Sequence, residues 1–304
     1  MARVWTDGFE FRDLIGYCLS PAVVGVGVLA DISTSVKRSG AASLRARTLS
    51  SSGGWATYTI SDVSEFYLRV GVYIASGSDT VPKIYWQGGS YEGYITFGTC
   101  YTLQAYVNDV NVASGVTPLY PDVWYLIEAH IKIDGTVGEV EVRIDGKTAL
   151  EIDYTGNTGT GNVDTIKFHS PGGGLGDTST LYFDDIALND TAGAVDNSWC
   201  GEGKIIVMMP DDDSAPLELT PSAASDHHLL VDEIPTDGDT TYVEGSVVDE
   251  EDMYGLAASG LVDVDINRVW TEARTRKTAA SDGEVALITK ASGGAEVSGG
   301  DVNF

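Results

Sequence analysis

Three kinds of side-chain grouping in this sequence have the residue types and spacing to do chemistry. Glu151-Ile152-Asp153 sets two carboxylates at alternate positions, which on a strand would face one side, as carboxylate-driven glycoside hydrolysis requires. Asp184-Asp185 and Asp211-Asp212-Asp213 are clustered hard-oxygen donors and could supply part of the roughly six to eight oxygens that Ca2+ takes. For the triplet, which follows Pro210, a solvated turn is the favoured reading. Tyr85, Trp86, Tyr91 and Tyr94 gather around Gly88-Gly89 and Gly93. Exposed rings beside a turn would stack on sugar C–H faces, whereas buried rings would fill a core or a subunit interface, the reading favoured for these four. His227-His228 is an adjacent pair that a strand would split to opposite sides, which argues against joint metal ligation. No Ser-His-Asp or Cys-His spacing stands out, and no Gly-rich loop joins a strand to a helix. Neither an enzyme nor a cofactor is expected.

The elements that must carry these residues are strands. Phe66, Leu68, Val70, Val72 and Ile74 alternate with polar positions through Glu65–Ser76, as do Tyr125, Ile127, Ala129, Ile131 and Ile133 through Trp124–Asp134. Val140, Val142 and Ile144 alternate with Glu139, Glu141, Arg143 and Asp145, and Asp145-Gly146 then predicts a hairpin turn into Lys147–Tyr154. Further strands are predicted at Val163–Ser170 and Leu181–Asn189. The small polar stretch 191–198 reads as a linker. After it, alternation at Lys204–Met209, Thr240–Val248, Val262–Arg276, Glu284–Lys290 and Ala295–Phe304 predicts about six strands, fewer than a closed sandwich usually has. No amphipathic helix longer than two turns is apparent.

Charge narrows the function classes. The 304 residues hold 18 Lys+Arg against 45 Asp+Glu, a formal charge of −27. Residues 1–190 carry 22 acids and 12 bases (net −10); residues 191–304 carry 23 acids and six bases (net −17). Ten of those acids fall within Asp226–Asp252, which has no Lys or Arg and is expected on an exposed face. Such a surface repels phosphate backbones and anionic lipid, so neither nucleic acid nor a membrane is expected as a partner. The apolar run Ala22–Ala30 is about half a bilayer span, and no signal peptide is evident in Met1–Gly8, which predicts synthesis in the cytoplasm. Cys18, Cys100 and Cys200 lie far apart without CxxC spacing and are expected as reduced, mostly buried thiols.

Two neighbouring strand pairs carry a resemblance. Trp124-Tyr125-Leu126-Ile127-Glu128, then Val140–Lys147 with its Asp145-Gly146 turn, then Tyr182-Phe183-Asp184-Asp185-Ile186, resemble the laminin-G/concanavalin-A-like jelly roll. Phe9-Glu10 and Ser39–Arg45 fit its first strands. The resemblance covers about residues 5–190 and implies an all-β sandwich, with a metal at the rim in some members. Members that hydrolyse β-glucan carry a third carboxylate two or three positions beyond the pair; Thr155 and Gly156 stand there here, so hydrolysis is not expected.

The linker with Asn197-Ser198-Trp199, Lys204–Pro210, His228–Glu233, Asp239–Val243, Ala273–Lys277 and Ala295–Val297 resembles the tandem of jelly roll and second β-domain found in tailed-bacteriophage virion proteins. That resemblance implies a second, smaller β-sandwich over 199–304, possible completion by a neighbouring subunit, and a structural role in a virion, at the tail or as head-surface decoration. Expected partners are copies of itself and other virion proteins. The alternative is a carbohydrate-binding module that attaches a particle or a cell to surface glycans. Ala295, Val297, Val302 and Phe304 would form the assembly edge, since the last predicted strand has no return strand to cover it.

Overall fold

Apolar–polar alternation with a period of two buries one face of each strand, and two such faces pressed together make the core of this chain. The computed structural model describes residues 3–10, 23–26, 29–89, 91–98, 101–223, 225–234, 237, 240–259, 273, 284–290 and 296–303. The back sheet runs in the order β3 (Ala30–Ser33), β4 (Ser43–Leu49), β15 (Thr178–Asp190), β6 (Glu65–Ile74), β11 (Trp124–Lys132), β12 (Gly138–Ile144) and β13 (Ile152–Gly156). β1 (Arg3–Asp7) pairs with the last residues of β15. The front sheet runs in the order β2 (Val23–Val26), β5 (Ser52–Val63), β14 (Val163–Ser170), β7 (Lys83–Gly88), β8 (Tyr91–Phe97), β9 (Leu103–Val107) and β10 (Val110–Ser114). β5 begins on β4 and ends on β14, so it joins the two sheets at a corner.

The faces meet as the alternation predicts. Phe66, Leu68, Val70, Val72, Ile127, Ala129, Ile131, Val140, Val142 and Ile144 are buried from the back sheet, against Tyr58, Ile84, Trp86, Ile95, Leu103, Ile166 and Phe168 from the front. Rings lock the layers together, with Trp5 to Tyr58 at 4.3 Å and Phe168 to Phe183 at 5.4 Å between centroids. The turn at Asp145-Gly146 has φ of +53° and +65°, a left-handed pair that these two residues tolerate. The following strand, however, starts at Ile152 rather than Lys147.

One irregularity organises the back sheet. Register slips in β15 between Asp184 and Ala187, where Asp185 takes φ +51°, and the partner on one edge changes from β4 to β1. Both carboxyls are fully buried there. Asp184 accepts the backbone N–H of Arg38 (2.7 Å), of Ser39 (3.3 Å) and of Asp185 (2.7 Å). Asp185 takes the Arg38 guanidinium (2.6 Å), the Ser39 hydroxyl (2.6 Å) and the Ile205 N–H (2.7 Å).

Ile205 belongs to a strap that the alternation did not reveal. Residues 199–205, assigned to the second domain by the sequence, lie across the outer face of the back sheet without forming a strand. Gly201 N–H donates to Glu128 (2.6 Å), Arg69 to the Gly201 carbonyl (3.2 Å) and Arg38 to the Gly203 carbonyl (2.9 Å). Cys200 is buried with Sγ 3.5 Å from the Tyr67 and Ala187 carbonyls, and burial pushes its thiol up to about 11. It is a free, buried thiol, as expected; Cys18 and Cys100 lie outside the described residues.

Beyond the strap the described strands pair two by two: β16 (Pro210–Leu217) with β19 (Asp252–Leu256), β17 (Thr220–Pro221) with β18 (Val243–Glu244), and β20 (Glu284–Lys290) with β21 (Glu296–Asn303). The smaller sandwich expected over 199–304 is represented, among the described residues, by these ladders. Lys204–Met209 is not a strand, and Val262–Arg276 falls outside the described residues except for 273. The terminal strand does have a return partner: Glu284 pairs with Asn303 and Thr289 with Val297, so the expected bare edge at Val297 and Val302 is paired on one side within its own chain. Ala295 and Phe304 lie outside the described residues. No helix among the described residues is long and apolar enough to cross a membrane.

Glu10 and Asp184 make a testable pH signature. Burial, opposed by the Ala41 N–H and assisted by Asp185 and Asp7, pushes Glu10 up to about 7. Burial and Asp185 push Asp184 up to about 8. The folded chain holds both protons more tightly than the unfolded chain, so stability falls as pH rises from 6.5 to 8. We expect a lower Tm at pH 8 than at pH 6.5, and a smaller difference in Glu10→Gln; an unchanged slope in that variant contradicts the assignment.

Candidate functional site

Outward-facing positions of the front sheet follow from the same parity that buries its core. Ile84 and Trp86 point inward, so Lys83, Tyr85 and Gln87 point outward. Gly93 leaves room for the Trp86 indole, since a Cβ there would lie 2.3 Å from its ring. Register then aligns outward residues of five adjacent strands. His169 pairs with Trp55 and with Lys83, Lys167 with Tyr85, Tyr85 with Tyr94, and Tyr94 with Tyr106.

The result is a continuous row of rings. Centroid distances are 6.0 Å for Trp55–His169, 5.8 Å for His169–Tyr85, 5.0 Å for Tyr85–Tyr94 and 4.8 Å for Tyr94–Tyr106. Tyr94 is buried between its neighbours and forms the spine, stacked on Tyr106 at 9°. Trp55, Tyr85 and Tyr106 are half-buried and offer ring surface to solvent. Lys83 lies 4.2 Å over Tyr94, and Lys167 lies 5.3 Å from Trp55 and 5.4 Å from Tyr85. Desolvation lowers both ammonium groups, and it pushes Tyr94 up to about 12, with help from Asp109. His169, half-buried beside the two lysines, is pushed down to about 3 and is neutral at physiological pH.

An open polar cavity of about 690 Å3 lies beside the row, at the β7–β8 turn, and none of the five rings lines it. Gln87, Glu92, Asn108, Asp109, Asp164 and Thr165 line it with the backbone of Gly88 and Gly89. Gln87 donates to Glu92 within the lining (2.7 Å), and Asp109 accepts from Tyr94 (3.3 Å), which links the lining to the row. Ring surface beside hydroxyl, amide and carboxylate groups can bind a molecule with both apolar C–H faces and many hydroxyls.

The other sequence candidates do not converge on this site. Trp86 is a core residue at 1% exposure and cannot meet a ligand. Tyr91 lies in β8 opposite Gly88. Glu151 accepts the N–H groups of Val116 (2.5 Å) and Thr117 (2.6 Å) and the Thr117 hydroxyl (2.7 Å), so it holds a loop. Asp153 is exposed on edge strand β13 in the back sheet, away from any shared cleft. Asp211–Asp213 lie on strand β16 rather than in the expected turn. His227-His228 opens a short 3-10 helix, not a strand, and each ring has its own carboxylate: Asp252 at 2.7 Å and Asp213 at 3.1 Å.

Asp184 and Asp185 do not fit a calcium shell. Their oxygens are already occupied by backbone N–H groups, a hydroxyl and the Arg38 guanidinium, which supplies the counter-charge. The neighbouring orphan is Glu10 Oε1, buried without a hydrogen-bond partner, and its raised pKa accommodates it as a neutral acid. Trp55, Tyr106 and His169 escaped the sequence reading because they are scattered; outward parity on every strand was the available signal.

No family model matches the sequence, and no curated protein matches it. Among solved structures, a sialidase aligns at 11% identity with a TM-score of 0.43, over 62% of this chain and 18% of the sialidase. This chain thus spans about a fifth of that protein's length. The catalytic domain of a glycoside hydrolase family 131 protein from Coprinopsis cinerea aligns at 12% identity and a TM-score of 0.42, over 67% of this chain and 100% of that domain. Basic winged bean lectin with Tn-antigen aligns at 13% identity and a TM-score of 0.40, over 60% of this chain and 98% of the lectin.

The two faces of the front sheet make separable predictions. Trp86→Ala should cost about 3–5 kcal/mol of stability by leaving a cavity in the core. Tyr106→Ala, at the end of the row, should change Tm far less. Denaturant unfolding of both variants checks this, and equal losses would contradict the placement.

Proposed function

We propose that this chain is a non-enzymatic carbohydrate-binding module that uses the outer face of its front sheet. The row Trp55–His169–Tyr85–Tyr94–Tyr106, with a polar cavity at the adjoining β7–β8 turn, is the observation that carries the reading. Half-exposed rings favour the C–H faces of sugar rings, and the cavity groups supply hydrogen bonds to hydroxyls. The expected alternative of glycan attachment therefore becomes the main reading, with its ring set moved from Trp86 to Trp55, Tyr85 and Tyr106. A place on a tailed-phage particle remains the finer reading, resting on sequence resemblance. Attachment of such a particle to a host surface glycan would use this same face.

A glycan array with the whole chain tests the reading. We expect saturable binding to a defined set of glycans, and at least a tenfold loss of affinity in Tyr85→Ala and in Trp55→Ala with their folds intact by circular dichroism. Absence of any glycan signal, or binding indifferent to both variants, overturns it.

Catalysis is not expected, because Glu151 holds a loop and the cavity carboxylates Glu92, Asp109 and Asp164 serve as ligands to hydroxyls. Incubation with laminarin or lichenin should release no reducing sugar. Release that disappears in Glu92→Gln or Glu151→Gln would refute the non-enzymatic assignment.

A further inference from the structure

A second cluster lies on the opposite side of the sandwich, on the outer face of the back sheet. His130 stands on β11 directly opposite Glu141 of β12, and Glu139, two residues earlier on β12, shares its face. Glu65 approaches from β6 on the other side. One ligand atom each from His130, Glu139 and Glu141 lie within 4.8 Å of one another.

The contacts of the imidazole pose a charge problem. Nε2 lies 2.9 Å from Glu65 Oε1, while Nδ1 lies 2.8 Å from Glu141 Oε2 and 3.7 Å from Glu139 Oε2. A neutral imidazole has one N–H. If Glu65 accepts it from Nε2, the Nδ1 lone pair points at two carboxylates, and lone pair against anion is repulsive. A cation must sit between them, either a second proton or a metal ion.

We propose that His130 Nδ1, Glu139 and Glu141 bind a divalent transition metal of the zinc class, with Glu65 holding the far ring nitrogen. A carboxylate that fixes the tautomer and orientation of a metal-bound histidine is the usual support of such a ligand. Metal–ligand bonds of about 2.0–2.2 Å in a tetrahedron separate ligand atoms by about 3.3 Å. The observed 2.8 and 3.7 Å from Nδ1 to the two carboxylates bracket that value. Imidazole with carboxylate donors suits zinc and its neighbours, whereas Ca2+ takes oxygen alone.

The surroundings fix the imidazole and leave the carboxylates accessible. Tyr67 stacks on His130 at 4.4 Å and 10°, and Trp199 of the strap closes over it at 6.2 Å. Arg143 in turn covers Trp199 at 3.7 Å. The His130 side chain is 6% exposed, against 31% for Glu139 and 27% for Glu141, so water can complete the shell. Lys132 lies 3.3 Å from the other Glu139 oxygen and competes for that carboxylate. The metal would join β11 to β12 beneath the strap.

Chelator-treated full chain should be titrated with Zn2+ by calorimetry, and with Co2+ by its visible absorption. We expect one equivalent bound, a rise in Tm, and Co2+ bands of a four- or five-coordinate N/O site. Affinity should fall at least tenfold in His130→Gln and, separately, in the partly exposed Glu141→Gln, whose fold circular dichroism would verify. No saturable binding means a proton alone fills the gap and overturns the proposal. Binding that survives in both variants assigns the metal elsewhere, for instance to His227 and His228, and overturns it equally.

Discussion

A pair of fully buried carboxyl groups at the Asp184-Asp185 bulge is the constraint on which the rest of this structure depends. A carboxylate at zero exposure is tolerated only when every oxygen is hydrogen-bonded and a counter-charge is close. Here those conditions recruit parts of the chain that no apolar contact would bring together. The Arg38–Ser39 turn is drawn in by its backbone N–H groups, hydroxyl and guanidinium, and Ile205 of the strap by its N–H. Arg69 adds a bond to the Asp185 carbonyl (3.0 Å) and reaches the strap at Gly201. The bulge is therefore where β15 changes partner, where the strap is fastened and where the first strands close.

Fastening the strap divides the labour between the two sheets. Outer positions of the back sheet, which alternation marks as solvent-facing, become covered: Glu128 and His130 are 2% and 5% exposed. Polar groups buried this way need partners: Glu128 has the Gly201 N–H, and the His130 ring lies between Glu65 and Glu141. The described residues place no comparable strap on the front sheet. Its outer rings must instead cover one another, which they do through stacked, tilted and edge-to-face contacts across five strands with lysines laid over them. One sheet is sealed by its own chain; the other keeps a half-exposed aromatic surface.

Alternation made the sandwich legible because each strand buries one face and nothing local competes. The inward sets of Glu65–Ile74, Trp124–Lys132 and Gly138–Ile144 are those that period two selects. The same signal misleads at Lys204–Met209, where alternating residues follow a strap whose hydrogen bonds go to side chains and carbonyls rather than to a ladder. It also says nothing of register. Tyr85 and Tyr94 are close enough in sequence to be grouped, but Trp55, Tyr106 and His169 join them only through pairings among five strands. Trp86 was grouped with them by proximity, although its parity with Ile84 sends it into the core. Asp184-Asp185 resembled a cation site on composition alone, because no local pattern indicates that Arg38, remote in sequence, supplies the cation.

The acidic second half solves its charge problem by different means. Between Lys204 and Arg268 there is no Lys or Arg, so its carboxylates cannot rely on ion pairs with them. They act as acceptors for backbone N–H groups. Asp252 takes those of Glu218 and Leu219 at 2.8 Å, Asp213 those of His227 and His228, and Glu250 those of Ser246 and Val247. Hydrogen bonds of this kind hold the charged form, and Asp213 and Asp252 are accordingly lowered despite the opposing effect of burial, their largest single influence. Asp252, with its side chain only 2% exposed, also meets His227 and Tyr254, so its burial is fully satisfied. Carboxylates bound in this way cap turns, as Glu250 does, and also tie distant segments together, as Asp252 does for Glu218 and Leu219 and Asp213 for His227 and His228. Acceptor bonds of this kind, rather than ion pairs with Lys or Arg, hold β16, β19 and the His227-His228 turn together among the described residues.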